Sequence, residues 1–204
     1  MVIKSVEFAG AVARPGGAVP DELPQVAFSG RSNVGKSSLV NRLLGRQHAK
    51  PARVSATPGK TQEINFYRIV AEWGGRERTF FLVDLPGYGY ARAPHAVREA
   101  WRPLVESYLR NNPDLRGVVQ LIDARHALSA HDRRMVEYLA EIEVPALFAL
   151  TKIDKLRTQA RREQVRRLTQ ELELDAEQVV PFSAVTGEGR EELLGGLAGL
   201  LEEA

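Results

Sequence analysis

Short apolar runs alternate along this chain with stretches in which apolar residues recur every three or four positions. The runs at 26–28, 64–70, 78–83, 118–122, 144–150 and 178–182 have the length and residue types of buried strands. The recurrent pattern predicts helices. Leu39, Leu43 and Leu44 share a face in 38–44, and Val97, Trp101, Leu104, Val105, Tyr108 and Leu109 share one in 96–111. A third helix begins at Ser129 or Ala130 and runs through Leu139, a fourth, rich in arginine, covers 156–172, and Leu193, Leu194, Leu197, Leu200 and Leu201 stripe a fifth over 191–201. Residues 2–8 alternate only in part and predict an edge strand, followed by a loose arm over 9–24 that holds Gly16-Gly17 and three prolines. Trp73-Gly74-Gly75 between two strands predicts a hairpin. Pro103 falls inside the second helix and predicts a kink or a fresh turn. Gly195, Gly196 and Gly199 weaken the fifth, each by about 1 kcal/mol relative to Ala. Apolar strands alternating with amphipathic helices predict an α/β fold, a mostly parallel sheet with helices on both faces. Its functional loops are expected at the carboxyl ends of the strands.

Composition changes this picture little. The 204 residues, 44% hydrophobic and 26% charged, suit one domain with a full core. With 28 Lys and Arg against 26 Asp and Glu, the net charge of +2 permits an RNA partner and does not demand one. The absence of cysteine excludes disulfides and thiolate metal sites, and four scattered histidines do not suggest a metal site. No apolar run approaches the ~18 residues that span a membrane. Lys4 and Glu7 break the only apolar stretch at the N-terminus, so a signal peptide is not expected and the default location is the cytoplasm.

The chemistry begins at Gly30-Arg31-Ser32-Asn33-Val34-Gly35-Lys36-Ser37, which reads G-x-x-x-x-G-K-S between a strand and a helix. Glycines let the backbone close round an anion, successive N–H groups point inward, and the helix start adds partial positive charge. Lys36 would reach the β- and γ-phosphates of a nucleotide, and the Ser37 hydroxyl would ligate Mg²⁺, with Ser38 at the mouth of the loop. Asp84, at the end of an apolar strand, opens Asp84-Leu85-Pro86-Gly87 and has the place of a second carboxylate near that metal; the Gly87 N–H could sense a γ-phosphate. Residues 88–91 continue as a flexible aromatic loop. Thr151-Lys152-Ile153-Asp154 distinguishes the base. A carboxylate fixed at a strand end accepts from both donors on the guanine edge, whereas adenine presents a ring acceptor there. The Lys152 stem can lie on the base, and Ser183-Ala184 can give a backbone N–H to the guanine oxygen.

These pieces resemble the EngB (YihA/YsxC) family of bacterial ribosome-biogenesis GTPases, in the Era-like branch of translation-factor-type GTPases. The matching stretches are G-R-S-N-V-G-K-S-S-L at 30–39, T-P-G-K-T-Q at 57–62, D-L-P-G-Y-G-Y-A at 84–91, I-D-A-R-H at 122–126, T-K-I-D-K at 151–155 and F-S-A at 182–184. They span nearly the whole chain in order. The resemblance implies a Ras-like G domain of the P-loop NTPase class over 25–204, with a six- or seven-stranded sheet. It implies Ser37 and Thr61 as Mg²⁺ ligands beside Asp84. It also implies Gly59, Lys60, Thr61, Gln62 and Glu63 as a first switch, Asp84 to Gly87 as a second, and Thr151 to Asp154 with Phe182, Ser183 and Ala184 around guanine. Thr151 stands where most GTPases have Asn, as is usual in this family.

Many GTPases orient the attacking water with a Gln after the second switch glycine; here Tyr88 holds that place, which predicts slow intrinsic hydrolysis with outside help. Asn33 resembles an Asn that helps hold K⁺ in related GTPases; a loop-stabilising role is the equal alternative. Arg92 in cis is the weaker candidate. Arg157, Arg161, Arg162, Arg166 and Arg167 on one helix, with Arg46, Lys50, Arg53 and Lys60 in a basic loop, would contact phosphate without reading sequence. A solvated helix with Glu163 and Glu171 as partners is the plainer reading of those arginines, and the resemblance moves it toward rRNA of an assembling large ribosomal subunit. A monomer is expected, with neither DNA nor a membrane as partner. A nucleotide-dependent kinase or ATPase, a guanine-nucleotide scaffold with negligible hydrolysis, and a GTPase with another target such as cell division are the alternatives.

Overall fold

The computed structural model describes residues 1–45, 63–88 and 95–202, with backbone alone for 95–101. The elements run β1 (Val2–Val12), β2 (Gln25–Gly30), α1 (Lys36–Leu44), β3 (Ile64–Trp73), β4 (Arg76–Asp84), α2 (His95–Arg110), β5 (Leu115–Asp123), α3 (Ala130–Glu141), β6 (Ala146–Thr151), α4 (Thr158–Glu171), β7 (Val179–Phe182) and α5 (Arg190–Glu202). They form a seven-stranded sheet in the order β1-β3-β4-β2-β5-β6-β7. From β4 to β7 all neighbours are parallel, and β3 pairs antiparallel with β1 and with β4.

Alternation along the strands sends side chains into two layers. Val26 and Phe28 of β2 and Phe80 and Leu82 of β4 join the leucines of α1 and α5 in one core. Ala27, Phe81 and Val83 point the other way, into a core with Leu104, Val105, Tyr108 and Leu109 of α2 and Leu139 of α3. Phe148 and Leu150 pack with Leu168 and Leu172 in a third cluster beneath α4.

Three boundaries differ from the pattern-based expectation. The first strand continues to Val12, so the arm is shorter than 9–24. Its pairing with β3 shifts register between Ile3 and Ser5 and again between Phe8 and Gly10. Each shift moves later side chains to the opposite face, which is why the alternation looked partial. The fourth helix starts at Thr158 because residues Ile153–Lys155 form a separate 3₁₀ turn. Pro103 starts no fresh turn: the helix is continuous from His95 to Arg110. Pro103 is exposed, so the backbone carbonyl it leaves without a donor sits on the side where water can serve it.

The glycines of α5 are not equivalent. Gly195 has open space where a Cβ would stand, while a Cβ on Gly196 would come within 2.6 Å of Leu147 Cδ1. Gly195→Ala is therefore expected to raise the unfolding free energy by about 1 kcal/mol. Gly196→Ala should fall short of that gain because Leu147 of β6 has to move. Chemical denaturation of the two variants checks this, and equal gains would show that Leu147 yields freely.

Register places the expected loops along one edge. Phe28 lies opposite Asp84, Gly30 opposite Leu121, and Thr151 opposite both Asp123 and Phe182. The segments after β2, β4, β6 and β7 thus leave the sheet side by side.

Candidate functional site: a loop cluster at the carboxyl edge of the sheet

After β2 the chain turns back into α1 through residues 31–35. Asn33 and Gly35 take left-handed conformations, φ 66° and 107°, and such residues among right-handed ones curl the backbone into a concave nest of amides. A Cβ at Gly35 would make that angle unfavourable. Val34 is buried and pins the loop to the core. The first turn of α1 has no side-chain cap and no acidic residue, so its amides and the positive end of its dipole are left to the loop. Ser37 is half-buried and Ser38 exposed.

The second loop lies against the first. Leu85 N–H donates to Phe28 O (3.1 Å), Tyr88 N–H to Gly30 O (3.3 Å) and Ser32 N–H to Tyr88 O (2.8 Å). Gly87 packs so closely that an added Cβ would sit 3.2–3.3 Å from Ser32 atoms. The Lys36 ammonium forms an ion pair with Asp84 Oδ1, which puts the strand-end carboxylate beside the loop lysine. Tyr88 departs from expectation. Instead of opening a flexible loop it is buried. Its phenol donates to Asp132 Oδ1 at 3.0 Å and accepts from Gln120 Nε2 at 2.6 Å. Burial, reinforced by the Asp132 carboxylate, pushes its pKa up, so it stays a neutral donor.

On the other side of the nest, the Thr151 hydroxyl donates to Val34 O at 2.8 Å. Lys152, left-handed at φ 62°, reaches back along Gly35 to Asn33 O (2.6 Å) and to Asp123 Oδ2 (2.9 Å). Asp123 also accepts from Arg125 Nε and Nη2 at 2.9 and 2.8 Å. Burial works against its negative charge, but the Arg125 and Lys152 bonds outweigh it and hold its pKa well below the usual carboxylate range. Asp154 is fixed by Ser183. The Ser183 oxygen accepts from the Val185 and Thr186 amides at 3.2 and 3.1 Å, so its hydrogen goes to Asp154 Oδ1 at 2.8 Å. Burial is again outweighed, here by the Ser183 and Lys155 bonds, and Asp154 keeps a lowered pKa. It is an ionised acceptor at neutral pH.

Most of the expected residues therefore meet. Gly30 to Lys36 touch Asp84 to Gly87 on one side and Thr151 and Lys152 on the other, and Asp154 meets Ser183. Leu85, Ile153 and Phe182 are buried, so their side chains anchor the loops and only their backbone can face a ligand. Ala184 packs beside the α1–α5 core. Glu63 is exposed at the start of β3, and Gly59, Lys60, Thr61 and Gln62 lie outside the described residues. Two carboxylates had no assigned role in the sequence. Asp123 could have been found as a strand-end Asp in the I-D-A-R stretch. Asp132 sits in the Ser129-x-x-Asp132 pattern of a capping box, which the structure forms.

The family model described as 50S ribosome-binding GTPase matches residues 25–152. The chain is 50% identical to "Probable GTP-binding protein EngB" of Gemmatimonas aurantiaca, covering 98% of this chain and 95% of that one. It is 45% identical to the protein of the same description from Desulforamulus reducens, over 95% and 91% of the two chains. Among solved structures, "Crystal structure of a probable GTP-binding protein engB" superposes with a TM-score of 0.67 at 25% identity, over 88% of this chain and all of that one. Near full-length identity of this order, on a sheet whose carboxyl edge gathers the nest, Asp84 and a Ser183-held Asp154, shows that the chain belongs to the EngB family of GTP-binding proteins and is a GTPase of the P-loop class.

Proposed function

We propose that this GTPase is a nucleotide-gated switch for assembly of the large ribosomal subunit, built as a single G domain over 25–204 with an N-terminal strand and arm. The observation that carries the nucleotide side is the chain of contacts from Asp84 through Lys36 and the nest to Lys152, with Asp154 held by Ser183 two positions further along the same loop. The nest and the α1 amides bind the phosphates; Lys36 moves from Asp84 to the β- and γ-phosphate oxygens. Asp154 accepts from the guanine edge, and Lys152 closes over the base while holding Asn33. The Ser37 hydroxyl and the Asp84 carboxylate are hard oxygen donors of the kind Mg²⁺ takes, with Thr61 as a third. No three His, Cys, Asp or Glu side chains cluster as a cage among the described residues, which suits an ion that relies on phosphate oxygens and water. When bound, Mg²⁺ neutralises charge on the β- and γ-phosphates. Thr61 and Gly87 are the contacts that GTP draws in and GDP releases.

Slow intrinsic hydrolysis follows from Tyr88, whose phenol is spoken for by Asp132 and Gln120 and does not orient a water. Help comes from K⁺ or from the partner. The left-handed backbone of Asn33 supports its loop-stabilising role, since Asn tolerates that region; stimulation by K⁺ over Na⁺ would return it to the ion. The ribosomal reading is supported by the description of the matching family model and by the exposed Arg157, Arg162, Arg166 and Arg167 of α4. Arg161 is paired with Glu188 (2.6 Å) and Arg167 with Glu171 (3.9 Å), and both are less available. The same reading takes the protein as a monomer working in the cytoplasm on rRNA.

The test is co-sedimentation with purified large subunits and their precursors, with a non-hydrolysable GTP analogue or GDP. Retention with the analogue alone, weakening as salt rises, is the expected result. Equal retention with both nucleotides, or none, would remove the ribosomal switch and leave a GTPase with another target, cell division among them.

A further inference from the structure

Tyr88 is clamped from two directions. Its backbone pairs with Gly30 and Ser32 of the phosphate loop, and its phenol reaches across the sheet edge to Asp132 in the first turn of α3. Asp132 is itself held: Oδ2 accepts from the Ser129 hydroxyl at 2.7 Å and from the Ser129 N–H at 3.2 Å, and Arg31 Nε stands 3.7 Å away. One buried carboxylate thus ties the shoulder of the phosphate loop, the residue after Gly87, and the start of α3. Neither the base nor the phosphate machinery described above uses it.

We propose that Tyr88 and Asp132 are positioning residues that hold the Gly87 amide in register with the phosphate loop, so that the N-terminal turn of α3 sets how strongly the site separates GTP from GDP. The inference rests on the reading of Gly87 as the γ-phosphate contact. Pro86 restricts the backbone before Gly87 and offers no N–H of its own. On its other side Gly87 is followed by Tyr88, where the phenol–carboxylate bond adds to the backbone pairs with Gly30 and Ser32 and to the bond from Gln120. Gly87 already lies against Ser32, so a small loosening carries its amide away from the place where a third phosphate would stand. The β-phosphate, ribose and base have other partners and feel little of this. A macromolecule that shifts the start of α3 would shift Gly87 and Arg31 together, through the same carboxylate.

Affinities for GDP and for a non-hydrolysable GTP analogue, measured by titration calorimetry on the full chain, test this with three variants. Tyr88→Phe removes only the hydroxyl. It is expected to lower analogue affinity relative to GDP affinity by at least about fivefold, the lower end of ordinary coupling between sites. Asp132→Asn, which keeps a capping oxygen but cannot serve Tyr88 and Ser129 equally, moves the ratio in the same direction. Ser129→Ala removes one of the two bonds that hold Asp132 Oδ2 but leaves the Tyr88–Asp132 bond itself; it lowers the melting temperature and moves the ratio in the same direction by less than Tyr88→Phe does. A ratio unchanged in Tyr88→Phe, equal losses for both nucleotides, or a Ser129→Ala shift as large as that of Tyr88→Phe would each overturn the proposal. Gly87→Ala, whose Cβ would press on Ser32 and displace the amide, tests the underlying reading separately: a variant that distinguishes the two nucleotides as well as the wild type does would overturn the reading of Gly87 on which the proposal rests.

Discussion

Asp154→Asn is expected to lose at least about a hundredfold in affinity for GTP and GDP while the fold is kept. The carboxylate is ionised and oriented before any ligand arrives, because Ser183 donates to Oδ1 and Lys155 stands 3.4 Å from Oδ2. Guanine presents two donors on the edge it meets, and an ionised carboxylate accepts both. Hydrogen bonds to charged groups are worth about 1.5–3 kcal/mol each. An amide keeps one acceptor and sets an N–H₂ against the second donor, so the loss approaches two such bonds, about 3–6 kcal/mol. Xanthine carries a carbonyl where guanine has its exocyclic amine, and the same amide then finds an acceptor. The variant should gain affinity for XTP as it loses GTP, and ATP should stay weak for both proteins. Titration with the three triphosphates decides it. GTP affinity within threefold of wild type would place the base elsewhere. Ser183→Ala gives a smaller loss in the same direction, since Asp154 remains but its aim is no longer set.

The sequence made the sheet legible because each apolar run had one reading on the strand period and each helix one apolar stripe. The phosphate loop and the strand-end Asp84 were legible because their chemistry is local: glycines, a lysine and a hydroxyl in eight consecutive positions, a carboxylate just past an apolar strand. What stayed hidden depends on pairing across the fold. Tyr88 reads in the sequence as the residue standing where many GTPases have a water-orienting Gln, and the fold alone shows it facing Asp132, 44 positions away. Lys152 looked like a lid for the base; its bridge from Asp123 to Asn33 needs β5, β6 and the phosphate loop aligned. The two register shifts in β1 hid its length for a related reason, because a bulge erases the period by which a strand is recognised. Of the kink and the fresh turn that Pro103 predicts, the fresh turn does not occur, because an exposed position lets the helix run on.

Lys36→Met should abolish measurable hydrolysis and also destabilise the nucleotide-free protein, and the two effects can be separated. The Met side chain keeps the reach of the lysine stem without its charge. At the phosphates, loss of one preorganised charge partner costs about 10²–10³ in rate by comparison with other transition-state donors. At Asp84, the loss is of a different kind. Its side chain is 11% exposed and so is that of Lys36, so removing the ammonium leaves a nearly buried carboxylate without its cation. Breaking a buried pair from one side costs about 3–5 kcal/mol; the cleft at the sheet edge admits water, which brings the expected loss to about 1–3 kcal/mol. Asp84→Asn added to Lys36→Met removes the stranded charge, so the double variant should recover most of the stability. It should recover none of the hydrolysis, because neither the phosphate cation nor the carboxylate proposed to face Mg²⁺ is restored. Urea unfolding of the four proteins in the absence of nucleotide gives the coupling energy directly. Additive stability losses would mean that the pair contributes nothing and that Asp84 is well solvated without Lys36. Hydrolysis returning in the double variant would mean that the charge at position 36 acts on Asp84 and not on the phosphates.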